Sequence, residues 1–132
     1  MPANTVPIFV LTPKHPQVRI ATANTARDGT GTLGTLFTAG ANGAVFRGVR
    51  AQAEGTTTAG VVRLFVQAGG AGNNELLKEI LIPAVTPSAT IEAASGEYFP
   101  EGGIVLGAGD VVKAATHNAE TFGVHLMDGG DY

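Results

Sequence analysis

Apolar and polar positions alternate most clearly between Ala44 and Ala68, in AVFRGVRAQAEGTTTAGVVRLFVQA. Side chains of a strand point to opposite faces at period two. In the first half, Val45, Arg47, Val49, Ala51 and Ala53 therefore share one face, and Phe46, Gly48, Arg50, Gln52 and Glu54 the other. The second half places Val62, Leu64, Val66 and Ala68 on one face and Val61, Arg63, Phe65 and Gln67 on its opposite. One face is apolar, while the face with Phe65 and an arginine is half buried, as in an antiparallel sheet with one side on a core. The pattern predicts two long strands joined as a hairpin through Glu54 to Gly60, a Gly/Thr loop longer than the two-residue turns that fix register.

The same alternation predicts short strands over 17–23 and 32–39, separated by a turn cluster at Asp28-Gly29, with Ala41 to Gly43 as the turn before the long pair. After the loop 69–74, NELLKEIL has helical propensity, but its length and the stop at Pro83 favour a strand antiparallel to 61–67. A short edge strand follows at 91–95, then a surface loop over 97–103 whose two aromatics, Tyr98 and Phe99, are expected to pack down. Strands at 104–106 and 110–116 precede a last one at 120–127, with the final two joined as a hairpin through His117 to Glu120. The fold expected is all-β: an antiparallel β-sandwich of about eight strands, jelly-roll-like.

Residues 1–16, MPANTVPIFVLTPKHP, carry four of the seven prolines around an apolar run. Proline lacks a donor and holds its predecessor extended. An extended Pro-rich N-terminal arm over 1–16 is therefore expected ahead of a single domain over 17–132, pinned on a partner or neighbour, with its own sheet as the alternative.

Composition narrows the function. At 132 residues the chain suits one domain, which buries roughly two-thirds of its unfolded surface. Aromatics are 6% and glycines number 19, a profile of many short strands and turns. Charged residues are 14%, well under the usual quarter, so part of the surface is expected to be covered in an assembly. The net charge is −3, and Arg19, Arg27, Arg47, Arg50 and Arg63 are dispersed among acids, which argues against a nucleic-acid partner. No run reaches the roughly twenty apolar residues of a membrane span, and the N-terminus lacks signal-peptide features, so no membrane partner and no export are expected.

Candidate chemistry is sparse. There is no cysteine, and neither Ser88 nor Ser95 sits in a nucleophile elbow. Glycines at 69–72 precede no Lys-Ser or Lys-Thr, so a phosphate cradle is not expected. His117, Glu120 and His125 near Asp128 and Asp131 approach a metal set without a recognised spacing. His15, next to Pro16, reads as an interface or solvent group. The scattered acids single out no glycosidase pair, and a sugar-binding site would lack tryptophan platforms. The expectation is no catalytic residue, no metal and no cofactor.

Several local phrases carry a resemblance: VRLFV at 62–66, LLKEI at 76–80, PAVTPSAT at 83–90, KAATHNAETFGVH at 113–125 and GGD at 129–131. Across residues 44–131 the chain resembles small structural proteins of tailed phages and prophages. The resemblance implies a virion component, a head decoration (cement) protein made in the host cytoplasm and bound to the capsid surface, with the major capsid protein as partner. A homo-oligomer, a trimer closed by head-to-tail contacts, accompanies that picture. The alternatives are a tail or spike component that binds a host surface, and a carbohydrate-binding jelly-roll module. The candidate assembly interface is Pro7, Ile8, Phe9, Val10, Leu11 and Pro13 of the arm with Phe46, Phe65, Tyr98 and Phe99. Packing of Phe46 and Phe65 between the two sheets is the alternative for those two.

Overall fold

A computed structural model describes residues 10–132. Among these residues ten strands run in chain order: β1 (Thr12–Lys14), β2 (Gln17–Ile20), β3 (Gly34–Thr38), β4 (Ala44–Ala53), β5 (Gly60–Gln67), β6 (Glu75–Ile82), β7 (Ser95–Tyr98), β8 (Ile104–Leu106), β9 (Val111–Thr116) and β10 (Phe122–Asp131). They form two antiparallel sheets in an all-β, sandwich-like arrangement. The six-stranded sheet has the order β1-β10-β4-β7, with β2 continuing beside β1 on β10 and β8 beside β7 on β4. The four-stranded sheet has the order β3-β9-β5-β6.

One core lies between them. Phe46, Val49, Phe122, Val124 and Leu126 come from the larger sheet, and Phe37, Val62, Leu64, Ile80, Ile82 and Val112 from the smaller. β5 and β6 pair as the sequence predicts, from Gly60 opposite Ile82 to Val66 opposite Glu75.

The expected hairpins are not formed. β4 lies between β10 and the β7–β8 margin, while β5 lies between β9 and β6, so the two long strands belong to different sheets. β9 and β10 are divided in the same way. Sheets pack about 10 Å apart, and the connection over 54–59 is long enough to cross that gap where a two-residue turn would not be. Thr57 anchors the crossing: it is buried, its Oγ1 donates to the carbonyl of Pro83 at 2.7 Å, and its amide donates to Val85. Each strand then buries its apolar face against the other sheet, and both of its edges are paired. The edge strand expected at 91–95 forms instead at Ser95–Tyr98, taking in the first aromatic of the expected loop.

Strict alternation also fails once inside β4. Ala44 and Phe46 face the core, and so do Val49, Ala51 and Ala53. Parity switches at Arg47-Gly48, opposite Asp128, whose φ of +58° is the one left-handed non-glycine value among the described residues. The register pairs Met127 with Gly48 and Gly129 with Phe46 on either side of that step. Phe46 is thereby turned inward, fully buried and edge-on to Phe37 at 5.0 Å between ring centroids.

The connection between β2 and β3 straps the outer face of the smaller sheet. Asn24 donates its amide to Thr116, Arg27 pairs with Glu79, and Gly29 accepts from Asn74. Beneath it lies Arg63, 1% exposed, which bonds Glu79 at 2.8 Å, the carbonyl of Asn24 at 3.1 Å and Nδ1 of His117 at 3.1 Å. Phe65 shares the outward parity of Arg63 and is fully buried without belonging to the intersheet core.

Pro7, Ile8 and Phe9 of the expected arm lie outside the described residues. Further along it, Thr12 to Lys14 form β1, paired with Gly129 to Asp131 of β10, so this part of the arm lies on the chain's own sheet. Pro13 is tolerated there because β1 is a marginal strand. No helix among the described residues is long and apolar enough to cross a membrane.

Candidate functional site

The strand register assembles an apolar row on the outer face of the larger sheet. Val105 of β8 stands opposite Val45 of β4, Val45 opposite Gly130 of β10, and Gly130 opposite Pro13 of β1. Val105 is 66% exposed. It is the middle residue of Ile104-Val105-Leu106, so its neighbours enter the core and period two sends it outward. Val10, two residues ahead of β1, reaches over Gly130.

Glycine shapes this face at several positions, two of which matter most here. A Cβ at position 48 would collide with the Phe99 ring, so the missing side chain of Gly48 is the seat of that ring. Phe99 remains 54% exposed on it. A Cβ at position 129 would collide with the carbonyl oxygen of Val45, so the close approach of β10 to β4 requires glycine there.

Two shallow grooves result, one of about 500 Å³ along Val10, Pro13, Val45 and Gly129, the other of about 510 Å³ along Val45, Phe99, Pro100 and Gly103. Arg47 and Asp128 line both and separate them, paired at 3.4 Å with both side chains mostly in solvent. Lys14 pairs with Asp131 at 3.3 Å and Arg50 with Glu97 at 2.7 Å. Arg47–Asp128 and Arg50–Glu97, with both partners open to solvent, add little to stability, about 0–1 kcal/mol each. Their consequence is electrostatic: the apolar row is bordered by charges that already have partners. No family model and no curated protein matches the chain.

The candidate interface divides on this surface. Val10, Pro13 and Phe99 line the grooves, and Leu11 is 78% exposed beside them. Tyr98 is half buried against the core, with Lys78 Nζ 5.3 Å from its ring centroid. Phe46 and Phe65 leave the candidate set. Phe46 lies between the sheets, as its alternative placement had it, because parity switches at Arg47-Gly48. Phe65 is buried outside the intersheet core, on the strapped face. Val45 and Val105 are the surface residues that the sequence reading misses. The signal for Val105 was present in its alternation, whereas Val45 was hidden by the parity switch.

The five residues considered for a metal are dispersed to separate partners. His117 bonds Arg63, Glu120 accepts from Thr58, and Asp128 pairs with Arg47. Asp131 accepts the Gly40 amide, and His125 meets His15. Among the described residues no three His, Cys, Asp or Glu side chains gather as a metal site requires.

Proposed function

We propose that the chain is a non-enzymatic virion structural protein, a capsid decoration (cement) protein that docks on the major capsid protein through the outer face of its larger sheet. The observation that carries this reading is the outward row Val105–Val45, with Phe99 sharing a shallow groove with Val45 and the Arg47–Asp128 pair beside it, apolar side chains amid paired charges as at a protein-binding patch. The low charge content and the phage-like phrases support it. The N-terminal arm contributes Ile8 and Phe9 to the same attachment, and the working state is a cyclic homo-oligomer, a trimer, on the capsid surface.

A jelly roll is part of the proposal. Counting β1 with β2 and β7 with β8 as single interrupted strands leaves eight, with sheet orders 1-8-3-6 and 2-7-4-5. Successive strands then cross between sheets, except at 4-5, as in a jelly roll built of two Greek keys.

Two experiments test the reading. Quantitative mass spectrometry of purified particles is expected to give this chain in a simple ratio to the major capsid subunit. A few copies per particle would favour a tail or spike component, and absence would overturn any virion role. Val105→Asp and Phe99→Asp are each expected to weaken particle binding at least thirtyfold, the scale of about 2 kcal/mol at an interface centre. Thermal melts should stay near wild type, since both side chains are largely in solvent. Unchanged binding in both variants would remove this face from the attachment.

A further inference from the structure

β1 is held on the sheet in an unusual way. All three of its residues are exposed, so no buried side chain anchors it. β2, by contrast, sends Ile20 into the core, with Val18 packed against it. What fixes β1 is its ladder to β10, the Leu11 amide on the Asp131 carbonyl and Val10 over Gly130 just ahead of it, the Lys14–Asp131 pair, and the short link at His15-Pro16. In that link His15 Nε2 meets Nδ1 of His125, on β10, at 3.0 Å, with the rings edge-on at 5.2 Å between centroids. Next to them the carbonyl of Pro16 accepts the amide of Leu126.

A contact between two ring nitrogens needs one proton between them. Two neutral rings supply it, as do one imidazolium and one imidazole. Two imidazolium rings cannot, since both facing nitrogens then carry hydrogens and both rings are cationic. We propose that the His15–His125 contact is a proton-operated latch, closing β1 onto β10 while at most one ring is charged and releasing it when both are.

The surroundings work in the same sense. Across the ladder His125 faces Arg50 of β4, whose charge is shared with Glu97 of β7, and on its other side uncharged Gln17 of β2. Within β10 its ring lies beside Gly123. Lys14 adds a further cation to the link, paired with Asp131, and Arg19 of β2 is occupied by Glu54. Desolvation first, then the charges of His15 and Arg50, hold the His125 ring below the usual imidazole range. A folded-state value below the unfolded one means that the stabilisation is complete above about pH 6.5 and is lost as pH falls through the lowered value. Release would remove one wall of the groove lined by Val10, Pro13 and Lys14. Its bearing on docking rests on the proposed function; the latch itself does not.

The test is nuclear magnetic resonance of the full ¹⁵N-labelled chain between pH 7.5 and 5. The heteronuclear NOEs of the Thr12 and Lys14 amides are expected to fall reversibly from sheet-like values to those of a free chain end, with a midpoint below pH 6.5. Leu64 and Val112 should stay rigid. In His15→Gln and in His125→Gln, a neutral amide replaces one ring, and the NOEs at 12 and 14 should no longer change over this range. Ordered Thr12 and Lys14 at pH 5 in the wild type would overturn the latch. So would an unchanged midpoint in both variants, or simultaneous loss at Leu64 and Val112.

Discussion

Arg63→Ala is expected to lower stability by about 3 kcal/mol, the low end of the cost of breaking a buried ion pair. The side chain is 1% exposed and all its polar contacts are intramolecular. Its loss strands the Asn24 carbonyl and leaves a guanidinium-sized void beneath the strap. Glu79 keeps Arg27, which sets the figure at the low end. Arg63→Met restores the packing and should recover about 1 kcal/mol of that loss. Urea unfolding followed by circular dichroism measures both, and hydrogen exchange at the Asn24 amide reports whether the strap lifts first. A loss under about 1 kcal/mol for the alanine variant would show that the strap does not depend on this side chain. The network also has an acid limit: hydrogen bonding from Arg27 foremost, and from Arg63, holds the Glu79 carboxyl below its usual range against some desolvation. Its contribution is present above the ordinary carboxylate value and is lost as pH falls through the lowered one.

Phe46→Ala should be the more damaging core change, about 4 kcal/mol, or roughly 15 °C in melting temperature for a domain of this size. The ring is fully buried where the strand changes parity, and its edge-on contact with Phe37 links the two sheets. Phe46→Leu keeps most of the volume and should cost about half as much. A melt within a few degrees of wild type for the alanine variant would contradict the intersheet placement.

These two residues mark what can and cannot be read from the chain. Period two locates the long strands because each turns an apolar face to the intersheet core, and the β5–β6 pairing follows from the length of the segment and its stop at Pro83. Partner choice across the 54–59 connection is different. A hairpin and a crossing bury the same side chains, and the sequence near Gly55 does not distinguish them; Thr57 and its distant acceptor Pro83 do. The parity switch at Arg47-Gly48 depends on Asp128, some eighty residues away, and so leaves no local trace. Arg63 looks like a solvent-facing arginine in its alternation and is buried because a remote segment covers it. On the candidate surface, Phe99 is legible as a loop aromatic expected to pack down, whereas its exposure, its seat on Gly48 and the alignment of Val45 with Val105 need the three-dimensional register.

The position of β10 has a consequence for the order of events in synthesis. It separates β1 and β2 from β4, and Thr12 pairs with Asp131. The larger sheet therefore cannot close until residues 122–131 have left the ribosome, however early its other strands emerge. β5 and β6 can pair long before that. Until then Phe46, Val49 and Ala51 have no neighbouring β10. Closure over so long a stretch of sequence is intrinsically slow, so the larger sheet should form after β5 and β6 have paired, with β10 the strand that completes it.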